Sequence, residues 1–292
     1  MTDRAATPIT LGTDSNRLAY TGRALAPSVQ ASITRRWGWW LYAEYRLINM
    51  RAYLQTILIR AIGLPLLYLS SMGLGLGNLV DAGAGGVDGV SYLVFVGPGL
   101  LVSSIVMEAT GEFTFPVMSG FKWQKHYFAA AGSPLTPAQI ALGEVAAVGL
   151  RFIAETVIFW LALLLFGAVV SPASWLVVLI APLAALAFGA PLLAFAATQT
   201  DEGAQFSFIQ RFIVMPMFLF AGTFFPLTAM PWYLQWVGWV SPMWHGTQLA
   251  RVVCYGMANP WWLTVVHLAV LVGCTAGGVW AAIRVFTIRL SR

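Results

Sequence analysis

Three charged residues with helical spacing stand out in a segment of this chain that is otherwise apolar. Glu144, Arg151 and Glu155 are seven and four residues apart, which places them on one face of a helix. Charged side chains in such segments are costly and usually face the interior of a bundle, where they pair or meet water. The spacing therefore predicts either a polar wall or relay along a translocation path, or an ion pair that joins helices or subunits.

A second acidic pair precedes this group. Glu108 and Glu112 are one helical turn apart, and Lys122 or Lys125 in the following segment could neutralise them. The same two interpretations, path or interface, apply to this pair.

The segment after these acids is both basic and aromatic. Residues 116–137 read PVMSGFKWQKHYFAAAGSPLTP, with a break at Gly132-Ser133-Pro134. A solvated loop rarely carries so many aromatic side chains, so we favour a docking element for a soluble partner, centred on about residues 120–133. The candidate coupling residues are Phe121, Lys122, Trp123, Lys125, His126 and Tyr127.

The stretch from Thr223 to Pro260 is apolar, yet four prolines and three glycines interrupt it. Backbone that leaves helical geometry at membrane depth must be buried in protein or line a cavity. We therefore expect short re-entrant helices at about residues 227–256, on the outer side. Their aromatic residues suit an interfacial belt, an exit gate or a platform for a sugar-bearing ligand. The outer gate candidates are Phe224, Phe225, Pro226, Trp232, Trp236, Trp244 and His245.

Several common chemistries are excluded by missing motifs. The sequence has no GxxxxGK[ST] phosphate loop, no HExxH and no GxSxG, and its two cysteines and three histidines have no zinc-ligand spacing. We expect no catalytic, cofactor or metal site, so the chain is not an enzyme by itself.

Composition defines the setting of these residues. Of the 292 residues, 59% are hydrophobic and 9% are charged, whereas soluble domains are near half apolar and a quarter charged. Thr156–Thr200 contains no charged residue and has room for two spans of about 20 residues each. The net charge of +5 needs no nucleic-acid partner, because membrane proteins keep Lys and Arg in their cytoplasmic segments.

The pattern predicts an all-α, polytopic membrane protein. We expect a flexible cytoplasmic tail at 1–34 and an amphipathic helix at 35–50, with Arg46 pointing away from its apolar side. We also expect Gly75, Gly77 and the stretch 81–89 to form an exposed loop. The distribution of basic residues places both termini in the cytoplasm. The predicted spans are about 53–76, 92–115, 138–166, 173–197, 208–225 and 261–285.

Ordered motifs along most of the chain add a family resemblance. The most specific motifs are PMFLFAGTFFPLTAMP at Pro216–Pro231 and SPMWHGTQLAR at Ser241–Arg251. Five weaker motifs precede them: LLYLS at Leu66–Ser70, GLGLG at Gly73–Gly77, YLVFVGPGLL at Tyr92–Leu101, MEATGEFTF at Met107–Phe115 and LGE at Leu142–Glu144. Over roughly Trp40–Val285, the chain resembles the permease subunits of ABC-2 type exporters, in the nodulation protein J and drug-exporter branch.

The resemblance implies a type V ABC exporter-like fold, with residues 51–292 as the six-span domain. It implies that 35–50 is the connecting helix, about 120–133 the coupling segment and about 227–256 the outer gate helices. It further implies a homodimer or heterodimer of permeases in a bacterial plasma membrane, in contact with membrane lipid. Two separate ATP-binding subunits would hold ATP and Mg. The loop after the second span diverges from the nodulation-type pattern, which leaves the identity of the ATPase open.

The function implied is export of an amphipathic small molecule, drug, lipid or glycolipid. The alternative is an ion-coupled secondary transporter with Glu144, Arg151 and Glu155 as its relay. Such transporters usually carry internal repeats, and the two halves of this sequence have no convincing repeat.

Overall fold

The computed structural model of this chain describes residues 27–200 and 203–291, and its regular elements there are helices. This confirms the all-α class for the described chain. The α-helices are α1 (Pro27–Met50), α2 (Leu54–Tyr68), α3 (Gly77–Ala84), α4 (Tyr92–Glu112), α5 (Phe115–Lys122), α6 (His126–Ala131), α7 (Pro137–Leu165), α8 (Val177–Thr198), α9 (Ala204–Ile209), α10 (Met215–Phe220), α11 (Trp232–Val240), α12 (Pro242–Tyr255) and α13 (Trp261–Leu290).

Shorter helical segments join several of these helices. Three are 3₁₀ turns, at Arg51–Tyr53, Pro172–Leu176 and Leu227–Ala229. Two are wide, π-type turns, at Leu69–Leu76 and Gln210–Val214. The wide turns make α2–α3 and α9–α10 two continuous helical runs.

Five helical stretches of the described chain are long and apolar enough to cross a membrane: Ala31–Gly83, Tyr92–Lys122, Pro137–Leu165, Pro172–Thr198 and Trp261–Leu290. The region expected to hold the fifth of six spans forms the shorter apolar run Ala204–Phe220, which ends five residues before the expected boundary. Whether this fifth segment crosses the membrane therefore stays a prediction.

Helix α1 differs from the expected tail and connecting helix. It begins at Pro27, so residues 27–34 are helical and the predicted flexible tail is wrong there; residues 1–26 lie outside the described chain. One face packs on the start of α7, where a Cβ at Gly143 would lie 2.5 Å from the Trp39 carbonyl oxygen. The opposite, aromatic face, which includes Trp37 and Tyr45, stays exposed.

The predicted break at Gly75 and Gly77 is also wrong, because the helical run continues to Ala84 and turns at Gly85, whose φ is +72°. A helical glycine costs only about 1 kcal/mol. In an apolar setting, leaving the helix would cost more, since each unpaired backbone group is penalised by several kcal/mol.

Helix α8 lies at the centre of the core and packs against α4, α7, α12 and α13. Its alanines are fully buried, and small residues on its neighbours allow close approach. A Cβ at Gly246 of α12 would lie 2.5 Å from the Ala184 side chain, and one at Gly278 of α13 would lie 2.4 Å from Pro191. This tight core positions the charged residues of α4 and α7 against each other.

Candidate functional site

The first site is a buried ionic cluster that joins α2, α4 and α7. Its centre is Arg151 of α7, whose Nε donates to Glu155 at 2.7 Å and whose Nη2 lies 3.4 Å from Glu108. Arg151 Nη1 also donates to Glu112. Arg60 of α2 completes the set, 2.5 Å from the second oxygen of Glu108. We call these five residues the Arg151 cluster.

The Arg151 cluster carries three acids and two bases, so its formal charge is −1. Arg151 and Glu155 are buried, and Glu155 Oε2 has no hydrogen-bond partner among the described residues. The cavity beside Arg60, Glu108 and Glu155 has a volume of only about 20 Å³, room for one water molecule at most. In this conformation the cluster is a junction between helices and not an open passage.

Glu144 lies in a different pair, apart from the Arg151 cluster. Its carboxylate is fully buried and accepts from Arg46 Nη2 at 2.7 Å and Nε at 3.0 Å, with the Tyr42 hydroxyl at 3.4 Å. The prediction that Arg46 points away is therefore wrong. This pair anchors α1 to α7.

The predicted coupling segment is a short helical hairpin, α5–α6, with a tight turn at Lys125, whose φ is +53°. Two of its predicted docking residues face inward, since Phe121 is 2% exposed and Tyr127 is 1% exposed. They pack on each other and on Phe286 of α13, with ring centroids 4.5–5.0 Å apart. In this conformation neither side chain can form part of a docking surface.

The outward face of the hairpin is formed by its turn. Trp123 is 58% exposed, with the Lys122 ammonium 5.8 Å from its ring centroid, and Lys125 is exposed. Phe128, which follows on α6, is exposed as well. His126 is partly covered, and burial lowers the pKa of its imidazole, which favours the neutral form at pH 7. A cationic aromatic surface remains for a partner.

A cavity of about 440 Å³ separates α1 from the hairpin. Both charged groups in its wall have partners, since Arg46 pairs with Glu144 and Glu112 pairs with Arg151. The lining is otherwise neutral and polar or aromatic: Tyr45, Asn49, Tyr53, Pro116, Ser119, Gln124 and His126.

The predicted outer gate residues fall into three groups. Trp232 and Trp236 of α11 are largely exposed. Trp244 and His245 of α12 face inward, where His245 Nδ1 lies 2.7 Å from Nδ1 of His267 and the Trp244 ring packs against both imidazoles. The structure therefore does not bring the predicted gate residues together as one set.

The third part of that prediction, Phe224, Phe225 and Pro226, lies in the non-helical stretch after α10. Tyr92 holds this stretch by donating to the Phe224 carbonyl oxygen at 3.2 Å. Arg251 of α12 is fully buried and donates to the carbonyls of Gly222 at 2.8 Å and Thr223 at 3.2 Å.

Comparison with known proteins places this arrangement in a family. The family model for the ABC-2 type transporter matches residues 39–255. The chain is 28% identical to nodulation protein J of Rhizobium meliloti (strain 1021), over 66% of this chain and 71% of that protein. It is 31% identical to nodulation protein J of Sinorhizobium fredii (strain NBRC 101917 / NGR234), over 64% and 70%.

A relative that is not a nodulation protein matches a similar share of the chain. The inner membrane transport permease YadH of Escherichia coli (strain K12) is 27% identical, over 66% of this chain and 73% of that protein. The family match covers the helices that hold the Arg151 cluster, the hairpin and the buried Arg251. The chain therefore belongs to the ABC-2 type transporter family.

Proposed function

We propose that this chain is the permease subunit of an ATP-driven exporter. Family membership makes it a multi-pass membrane transport component that is not itself catalytic and that works with an ABC ATP-binding subunit. The cargo we propose is an amphipathic small molecule, a drug, or a lipid or glycolipid, moved out of the cytoplasm or the inner leaflet. ATP and Mg would be held by the partner subunit.

The observation that carries this proposal is the position of the hairpin. Glu112, which pairs with Arg151, is the last residue of α4, and α5 begins at Phe115. Phe121 and Tyr127 pack the hairpin against α13. A partner that pushes on Trp123 would therefore move the hairpin as a rigid unit. Movement of that unit would reach the Arg151 cluster through two connecting residues.

The topology we propose has six spans, with the run α9–α10 as a short fifth span. Basic residues support a cytoplasmic location for both termini and for the hairpin. The helices α11 and α12 would then be re-entrant helices on the outer side. Two such permeases, identical or different, would assemble with two ATP-binding subunits in a bacterial inner membrane.

The cavity between α1 and the hairpin supports an amphipathic cargo. Its wall offers neutral hydroxyl, amide and imidazole groups that could receive a polar headgroup. The exposed aromatic face of α1 lies beside it and would meet the lipid.

The arrangement gives less support to the ion-coupled alternative, because its three relay residues do not form one set. Glu144 pairs with Arg46 of α1, whereas Arg151 and Glu155 belong to the Arg151 cluster. No observation in the described chain favours a secondary transporter.

Purification of the tagged chain from its own host in mild detergent tests the proposal. We expect a soluble ATP-binding subunit to co-purify in a stoichiometric amount. A chain that purifies alone under conditions that preserve other transporter complexes would contradict it.

A further inference from the structure

A second, larger cavity lies at the other end of the molecule. Its volume is about 630 Å³, within the range of ligand sites. It is bounded by the loop at Asp88, by the stretch that begins at Pro226, and by one side of α12, which contributes Trp244, Gln248, Arg251 and Tyr255. None of the interactions that define the hairpin or the Arg151 cluster involves this wall.

The wall contains a buried positive charge that forms no ion pair in the described chain, although Asp88 at the rim attracts it from a longer distance. Arg251 is 1% exposed, its guanidinium carbon lies 3.8 Å from the centroid of the Phe95 ring, and its Nε and Nη2 donate to backbone carbonyls. No carboxylate among residues 27–200 and 203–291 forms an ion pair with it. Buried charges are usually paired, because desolvation is costly.

Two hydrogen-bond donors in the same wall are also unmatched. Trp244 Nε1 and the Tyr255 hydroxyl are buried, and neither has a partner in the described part of the chain. A buried donor without an acceptor is penalised by about 1–3 kcal/mol. Both residues line the cavity, so an acceptor bound there is a group that could satisfy these two donors.

Together these groups select a ligand by charge and by hydrogen bonding. Trp244 Nε1 and the Arg251 guanidinium can only donate, and Gln248 adds an amide N–H. The one acid of the lining, Asp88, is exposed to solvent at the rim. An oxyanion offers several acceptors around one negative charge, and hydrogen bonds to charged groups are the stronger ones.

We propose that this cavity binds the phosphate group of a ligand, with Arg251, Trp244 and Tyr255 as its donors. In the proposed topology the cavity faces the outer side of the membrane. The phosphate belongs either to a phospholipid headgroup or to a soluble or transported phosphate ester. The binding site does not depend on ATP coupling, so it can be tested on the permease alone.

The test uses the full chain in a maltoside detergent, which carries no phosphate, and measures dissociation constants by microscale thermophoresis. The probes are dihexanoyl phosphatidylglycerol and methyl phosphate. Saturable binding of the lipid alone assigns the site to a phospholipid, and comparable binding of methyl phosphate assigns it to a phosphate ester of either source. Absence of saturable binding for both probes overturns the proposal.

Three variants separate this site from a structural role. Tyr255→Phe removes an unmatched hydroxyl, so we expect about tenfold weaker binding with no loss of thermal stability in the absence of probe. Asp88→Asn removes repulsion at the rim and should tighten binding a few-fold. The control Tyr42→Phe removes a hydroxyl whose partner, Glu144, lies at the other end of the molecule, so it should leave binding unchanged. Unchanged binding in Tyr255→Phe, or weaker binding in Asp88→Asn, would refute the site.

Discussion

Replacement of Arg151 by methionine lowers the free energy of unfolding by about 3–5 kcal/mol, the usual loss when one member of a buried ion pair is removed. Among the described residues, Glu112 and Glu155 pair with no base other than Arg151, and both side chains are largely buried. Methionine keeps most of the side-chain volume, so the loss of stability reflects the missing charge and not a new cavity. Reversible denaturation of the purified chain in detergent micelles measures it.

Arg60→Met is the matched control for this prediction. Arg60 pairs with Glu108, which keeps Arg151 as a second basic partner, so removal of Arg60 leaves no acid of the cluster unpaired and should cost less than removal of Arg151. If both variants lost the same small amount, the Arg151 cluster would not be the junction that holds α4 to α7.

Trp123→Ala should uncouple the permease from its ATPase without unfolding it. Trp123 is largely exposed, and exposed substitutions usually change stability by less than about 0.5 kcal/mol. Buried interface tryptophans contribute about 2 kcal/mol or more, which corresponds to roughly 30-fold weaker docking. Titration of the ATP-binding subunit onto the reconstituted permease, read as stimulated ATP hydrolysis, measures that loss.

Tyr127→Ala provides the contrast within the same hairpin. Its ring is buried between Tyr42 and Phe286, so truncation should destabilise the permease by about 3–5 kcal/mol. A Trp123→Ala protein that keeps full docking affinity, or that unfolds as readily as Tyr127→Ala, would place the docking surface elsewhere.

The sequence predicted the charged residues of α7 well, but it could not identify their partners on other helices. Spacing placed Glu144, Arg151 and Glu155 on one side of α7, and the structure keeps all three buried. Their partners on other helices come from α1 and α4, whose approach to α7 depends on tertiary packing. Arg46 illustrates the difficulty, because the sequence of an isolated helix does not show whether this side chain contacts a lipid phosphate or a carboxylate of another helix.

Aromatic residues in the hairpin show a second limit. Composition alone marked Phe121, Trp123 and Tyr127 as one docking surface, yet only Trp123 is exposed. The distinction depends on Phe286, which is more than 150 residues away in the sequence. The predicted break at Gly75 and Gly77 was wrong for a related reason. The low helix propensity of glycine was outweighed by the need to pair backbone groups in an apolar setting.

The central claim is that this permease works through an ATP-binding partner, and the most direct test is energisation in liposomes. The chain should be reconstituted with its co-purified partner and supplied with ATP, and hydrolysis should be measured with and without vanadate. We predict hydrolysis that requires both subunits and that vanadate abolishes. A chain that transports on a proton or sodium gradient without any ATP-binding subunit would contradict the account.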